Sequence, residues 1–384
     1  MKIGIFTNNY LPNPYGVTGS IESFRKDLEA SGHEVFIFAP KWKGYSDENP
    51  NVFRYPSLTL PIKFKFPLAI PYSRNLDKII SELDLDIIHS QHPVLLGSVA
   101  KKWAKKKGIP LVFTWHTLYD HYTNFVPFLP KKFVAWKAIS KSVKYTNFCD
   151  QIIAPSQSAK EIIKNWGVTQ DIKALSTGVD ESIFLNASRE GLRKKYGVKE
   201  EEVLLLLVSR ITEEKNIRFL FQSAIEVVKE NAKVKFLIAG GGYLLDGLKK
   251  RVQEEKLEEK VFFAGEVKKE EVKNFYAAGD IFIYASKSET QGMIISEAMY
   301  AGLPVVAVEA TGIKDAVKDN VSGFLVPEKK EEFKKAIEKI IKDSDLRKKM
   351  GEEGRQIAKE KYTAKVCAQK LLEIYKTSIE NFKK

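Results

Sequence analysis

Short apolar runs separated by helical patterns recur along this chain and limit its folding choices more than any other feature. In the first half they fall at Lys2 to Thr7, Glu34 to Ala39, Asp86 to His89, Leu111 to Thr114, Gln151 to Ala154 and Ile172 to Leu175. The rhythm restarts after Lys199, with Val203 to Val208, Val234 to Ala239, Val261 to Ala264, Ile281 to Tyr284 and Pro304 to Val308. Alternation of this kind argues parallel sheets covered by helices, and the near-continuous Val, Ile, Leu and Phe content suits strands buried on both faces. At 384 residues the chain also exceeds what one hydrophobic core usually spans. The expectation is an α/β protein of two domains, each built on a parallel sheet.

Between the halves lie Ser176-Thr-Gly-Val-Asp180 and a polar helical stretch, Arg189 to Tyr196, closed by Gly197. These place a linker over residues 179–198, with a hinge near Gly178. Residues 1–178 then form one domain and 199–360 another, while 361–384 read as a C-terminal helix able to cross back to the first. Within that helix Val366, Leu371, Ile374 and Tyr375 make an apolar stripe, the mark of ordinary packing.

Composition removes several classes. Cys149 and Cys367 form neither a C-x-x-C pair nor a metal spacing, which speaks against a disulfide framework or a zinc site and for a reducing compartment. The opening run reads as a strand rather than a secretory leader, and no uncharged stretch reaches the 18 or so apolar residues that span a bilayer, so any membrane contact is peripheral. The net charge is +13, and residues 1–178 hold 23 Lys plus Arg against 14 Asp plus Glu. Between Lys101 and Cys149 ten basic residues face one acid, Asp120, with aromatics interleaved. Such a patch seeks an anionic surface.

Four groups of residues sit where strands give way to helices. Glu289 and Glu297 lie eight positions apart, a little over two helical turns, so both acids can look toward one side. Gly292 lets a ligand approach the helix start and its free N–H groups. The same pattern also fits a solvated helix whose first acid answers the dipole. Arg210 and Lys215 follow a buried strand, at the edge where open α/β sheets bind ligands, and together suit a diphosphate; for either alone a surface salt bridge is the more common explanation. The loop after the first strand brings Gly16 and Gly19 to a helix entrance without G-x-G-x-x-G, which disfavours a nicotinamide or flavin enzyme. Thr114-Trp-His116-Thr-Leu-Tyr119 ends another strand, with His89 and His92 near the end of the one before, in positions that fit either a catalytic or a structural role. The acidic pair Asp84 and Asp86 precedes its strand and reads as a turn at the opposite edge.

A last stretch, Lys131 to Tyr145, sets Phe133, Trp136, Ile139 and Val143 on one helical face. Lys137, Lys141 and Lys144 take another, with Lys131 and Lys132 at the start. This is the pattern of a helix lying in a membrane interface, and equally of a packed helix with a solvated basic face.

Taken in order, these residues make the chain resemble the retaining glycosyltransferases of family 4, over essentially its whole length. The Glu289 to Glu297 spacing is the most specific mark. Arg210 with Lys215, Ala239-Gly-Gly-Gly242, Asp315, Asn320 and Gly323 support it. Ser288-Glu-Thr-Gln-Gly292 and His116-Thr-Leu-Tyr119 are similar to the bacterial diacylglycerol glucosyltransferase branch, where Thr290 is often aromatic. The resemblance implies a GT-B fold of two Rossmann-like domains facing a central cleft, the first for the acceptor and the second for the donor. It implies transfer of a hexose, glucose foremost, from UDP-glucose onto diacylglycerol or a monoglycosyl diacylglycerol. Arg210 and Lys215 would hold the diphosphate, Glu297 the ribose and Glu289 the sugar hydroxyls. Gly292, Met293 and Ile294 would line the donor, His116 would meet the sugar near its reacting carbon, and Gly16 would approach the diphosphate. Configuration would be retained without an enzyme nucleophile or a metal, and domain closure would accompany turnover. Lys131, Lys132, Phe133, Trp136, Lys137 and Lys141 would meet the acceptor membrane, with the protein cytoplasmic on the inner face of the cell membrane.

The sequence departs from many relatives at Thr177, before Gly178, where Asn is common, and at Met293, where a bulkier branched residue is frequent; both leave the sugar open. Two rivals share the features: a family 4 enzyme with a soluble sugar or sugar-phosphate acceptor, and a catalytically inactive phospholipid-binding adaptor. No nucleic-acid module is recognisable. Donor base and oligomeric state are open.

Overall fold

The first apolar run becomes β1 (Lys2–Phe6), and strands pair on both sides of it. The structure, a computed structural model, describes residues 1–13, 16–59, 67–118 and 131–383, and of residues 59, 131 and 132 the backbone alone. Contacts divide the chain into two units, Met1–Gly178 with Ala364–Lys384, and Val179–Thr363.

In the first unit β1 is followed by β2 (Glu34–Pro40), β3 (Val52–Tyr55), a hairpin of β4 (Ser57–Thr59) and β5 (Pro67–Ala69), then β6 (Ile87–Ser90), β7 (Leu111–Thr114), β8 (Gln151–Ala154) and β9 (Ile172–Ala174). The main sheet runs β3-β2-β1-β6-β7-β8-β9 with every pair parallel. Successive side chains of β2 serve two cores. Val35, Ile37 and Ala39 join Ile3, Ile5 and Leu371, whereas Phe36 and Phe38 join Trp103 and Phe113. That is the period-two alternation of a sheet covered on both faces.

The second unit repeats the plan with β10 (Val203–Val208), β11 (Val234–Ala239), β12 (Val261–Gly265), β13 (Ile281–Tyr284), β14 (Val305–Val308) and β15 (Gly323–Val326), ordered β12-β11-β10-β13-β14-β15 and all parallel. In both sheets the strand order reverses beside the first strand, β1 or β10. In open α/β sheets the crevice at the carboxyl ends of such strands is where ligands bind.

The expected strands recur within a residue or so. Unanticipated are β3 and β15, both at sheet edges, and the β4–β5 hairpin. The stretch 179–198, read as a linker, is anchored in the second unit. It forms a short turn, Glu181–Phe184, and the helix Arg189–Lys195. Arg193, only 3% exposed, bonds Asp280 Oδ2 at 2.9 Å and the carbonyls of Ala278 and Glu202 at 3.1 and 2.8 Å. These contacts fix the helix to the second unit. The final residues form two helices, Ser344–Lys361 and Ala364–Phe382, and the second packs in the first unit, burying Leu371 and Tyr375. The chain therefore passes between units twice, and the Val179 amide bonds the Tyr362 carbonyl at 2.6 Å between these points.

Candidate active site

Charged side chains gather at the carboxyl edge of the second sheet, where the order reverses between β10 and β13. Leaving β10, the chain forms a tight turn, Glu213–Lys215, and closes it with Asn216 in the left-handed region. The turn is stitched to the loop after β13. Ser288 Oγ donates to the Glu214 carbonyl at 3.3 Å, and Lys215 Nζ lies 2.5 Å from Glu289 Oε1. Tyr284, the last residue of β13, donates its hydroxyl to the same oxygen at 2.5 Å. Lys215 and Glu289 keep only 16% of their side-chain surface. Burial acts to raise the Glu289 carboxyl, but Lys215 and Tyr284 outweigh it and hold the group below its ordinary value. Glu289 is therefore ionised at neutral pH.

Glu297 is placed by the helix Met293–Tyr300. Its Oε2 accepts from Tyr276 at 2.8 Å, with no cation of the described residues in contact, and burial pushes its carboxyl up. The helix starts because Gly292 adopts φ 75°. The Ile295 and Ser296 amides return to the Gly292 carbonyl, so the Met293 and Ile294 amides come first without an intrahelical acceptor. Arg210 bonds Glu214 at 2.5 Å and is half exposed, free to exchange partners.

Glycine is required at Gly240, where a Cβ would fall 1.8 Å from the Ser209 carbonyl oxygen. Its φ of 139° excludes other residues as well. The Gly-rich loop after β11 thus lies directly against the strand end that carries Arg210.

At the carboxyl edge of the first sheet the groups singled out from the sequence, a glycine and three histidines, are neutral, and the Arg54–Asp47 ion pair is turned to the Pro40 and Leu11 carbonyls, each at 2.8 Å. Gly16 opens the helix Gly16–Ala30, and no heavy atom of the described residues beyond its chain neighbours and its own helix backbone lies within 4 Å of where a Cβ would stand. His116 stands just beyond β7, half-buried, with Nε2 2.6 Å from Gln91 Oε1. Burial, then His92 and His89, pulls its pKa well below the ordinary value. With Gln91 presenting its carbonyl oxygen, Nε2 holds the proton and Nδ1 is the acceptor. The other two histidines are structural. Buried His89 bridges Tyr375 and Thr114 at 2.6 and 2.7 Å, and His92 accepts from the Asn8 amide at 3.1 Å. Asp86 caps β1 by accepting from the Lys2 amide at 2.7 Å, at the far edge as expected.

The basic helix spans Lys131–Thr146. Phe133 and Trp136 are 45% and 64% exposed, their rings 6.0 Å apart, with Lys137 Nζ 5.8 Å from the Phe133 ring. Val143, further along, packs into the core. The side chains of Lys131 and Lys132, and Tyr119 and Asp120 entirely, lie outside the described residues. Other cations of the basic segment are already engaged: Lys102 pairs with Asp77 at 2.9 Å, and Lys107 bonds the Leu83 carbonyl at 2.7 Å. Among the described residues no group of three His, Cys, Asp or Glu stands where it could hold a metal ion, and no helix is long and apolar enough to cross a membrane.

Sequence reasoning missed Tyr284, Tyr276 and Gln91. The tyrosines carried one usable signal, since a buried hydroxyl in an apolar run needs a partner.

Two parallel-sheet units with an acidic and cationic cluster at a topological switch point define an α/β transferase of the GT-B architecture. Family models agree: residues 15–183 match "Glycosyltransferase Family 4" and residues 188–357 match "Glycosyl transferases group 1". The chain belongs to these glycosyltransferases. It is similar to an alpha-monoglucosyldiacylglycerol synthase of Streptococcus pneumoniae, 31% identical over 85% of this chain and 75% of that one. The enzyme of the same name from Acholeplasma laidlawii is also 31% identical, over 88% and 87%. A GDP-mannose-dependent alpha-mannosyltransferase of Corynebacterium glutamicum is 27% identical over 90% and 81%. Among solved structures, Anabaena HepE in complex with UDP has a TM-score of 0.78 at 19% identity, covering 98% of this chain and all of that one.

Proposed function

We propose that this glycosyltransferase moves a glucosyl group from UDP-glucose onto diacylglycerol or a monoglycosyl diacylglycerol at an anionic membrane, with retention of configuration. The observation that carries the donor half is the ionised Glu289 beside Lys215 at the switch point, with Arg210 and the Met293 and Ile294 amides nearby. As the bond between the anomeric carbon and the diphosphate breaks, positive charge grows on the sugar and negative charge on the departing phosphate. Lys215, Arg210 and the helix amides answer the phosphate, and Glu289 holds sugar hydroxyls. The acceptor oxygen bonds the anomeric carbon on the face the phosphate leaves, and its proton passes to that phosphate, so the step needs neither an enzyme nucleophile nor a metal. Gly16 would serve the diphosphate. His116, neutral, would accept a hydrogen bond at Nδ1 from a sugar hydroxyl.

The exposed Phe133 and Trp136 beside Lys137, with Lys141 one turn on, favour the lipid acceptor and a peripheral place on the inner face of the cell membrane. The named lipid synthases among the relatives support the same reading. The test is nucleoside diphosphate release from a panel of UDP- and GDP-sugars, with diacylglycerol in phosphatidylglycerol vesicles as acceptor and EDTA in a parallel set. Turnover with UDP-glucose that requires the vesicles and survives EDTA is expected. Turnover only with sugars or sugar phosphates would replace the acceptor, and vesicle binding without turnover from any donor would favour the adaptor.

A further inference from the structure

Each acid of the pair takes a tyrosine hydroxyl on one of its oxygens. Glu289 Oε1 takes both Lys215 and Tyr284, and Ser286 stands close enough to add to the support of the carboxylate. Glu297 Oε2 takes Tyr276, and among the described residues Oε1 takes nothing. The tyrosines are themselves immobile, with Tyr284 fully buried and Tyr276 only 1% exposed. Phe282 lies between them, its ring 5.9 Å from Tyr276 and 6.2 Å from Tyr284. A carboxylate rotates easily about its last bond, and a fixed donor on one oxygen sets its plane and aims the other. Burial and the neighbouring carboxylates push both phenols far above their ordinary value, so both hydroxyls remain donors at any working pH.

We infer that Tyr284 and Tyr276 are positioning residues that divide donor recognition, Tyr284 aiming Glu289 at the sugar and Tyr276 aiming Glu297 at the nucleoside. The inference rests on the nucleotide-sugar reading above. The two acids differ in support. Glu289 faces Lys215 and Tyr284, with Ser286 beside it, whereas Glu297 faces Tyr276 and, at longer range, Lys269. Removing the Tyr276 hydroxyl therefore strips Glu297 of its contact donor, while removing the Tyr284 hydroxyl leaves Glu289 its lysine. Both losses favour the protonated acid, so the pH below which ligand is released moves upward.

The experiment uses the full chain with Tyr284→Phe and Tyr276→Phe, which keep the rings. Binding of UDP and of UDP-glucose, and of GDP to the wild type, is measured by calorimetry from pH 5 to 8. For Tyr284→Phe, UDP-glucose binding should weaken about tenfold and UDP binding less than about twofold, the loss of a hydrogen bond to a charged group setting the scale. For Tyr276→Phe both ligands should weaken by the same factor, about tenfold, with the acid limb displaced upward. If Tyr284→Phe weakens both ligands equally or neither, or Tyr276→Phe spares UDP, the division is wrong while the donor reading stands. Wild-type protein that binds neither UDP nor GDP removes both.

Discussion

The carboxyl edges of the two sheets come from the same strand order and have different chemistry. At the second, Lys215 is matched to Glu289 and Arg210 to Glu214, so charge is present and already partnered before any ligand arrives. At the first the notable groups are Gly16 and three histidines made neutral by burial, and the guanidinium present, Arg54, is committed to Asp47 and to the Pro40 and Leu11 carbonyls. An edge of ion pairs can receive a diphosphate by exchanging a carboxylate for a phosphate, at little cost in buried charge. Neutral histidines can orient hydroxyls without competing for that phosphate. The contrast suits a reaction in which one partner brings the charge and the other does not.

The largest test of the contrast is Lys215→Ala. Loss of a preorganised cation facing developing charge should lower kcat by roughly 10²–10³-fold. The same change leaves Glu289 buried without its cation, so melting temperature is measured alongside; an unchanged kcat would place the diphosphate elsewhere.

Acid should separate the two units next. All 5 histidines and all 5 tryptophans lie within residues 1–178, so tryptophan fluorescence reports the first unit alone. A histidine whose pKa is lowered by folding contributes stability that is full above its ordinary value of about 6.5 and is lost as pH falls below it. Burial takes His89 down to about 3. That histidine alone should cost the first unit about 2 kcal/mol between pH 7 and pH 5, in denaturant midpoints read by fluorescence. Glu297 has the opposite sign, since its raised pKa makes its charge unfavourable to the fold and protonation relieves it. Equal acid sensitivity of both units, the second followed by a tryptophan placed there, would break the comparison.

The smallest effect concerns the exposed aromatics. Phe133→Ser and Trp136→Ser should each weaken binding to phosphatidylglycerol vesicles about tenfold, with UDP binding unchanged. An unaltered vesicle affinity would return the helix to a packing role.

Much of this was readable beforehand, for reasons that differ by element. The buried strands announced themselves because five consecutive apolar residues such as Val203–Leu207 have few other uses in a chain of alternating elements. Two of the four edge strands of the parallel sheets did not. Val52–Tyr55 is short and only Tyr55 is buried, and Gly323–Val326 opens on a glycine at φ 157°. The stretch 179–198 looked like a linker because it is polar, yet Arg193 is polar and buried, satisfied by carbonyls from residues distant in sequence. The acids and cations of the site were legible from their spacing after strands. Their supports, Tyr284 and Tyr276, were not, because an aromatic in an apolar run reads as core until its hydroxyl is seen to meet a carboxylate.

The double passage of the chain also has a consequence for its synthesis. Residues Val179–Thr363 are a complete unit, whereas the first unit needs Cys367, Leu371 and Tyr375 from the last helix to finish one face of its core. A ribosome delivers the second unit whole while the first still lacks a wall. The domain begun first is therefore finished last, inverting the usual N-terminal-first order.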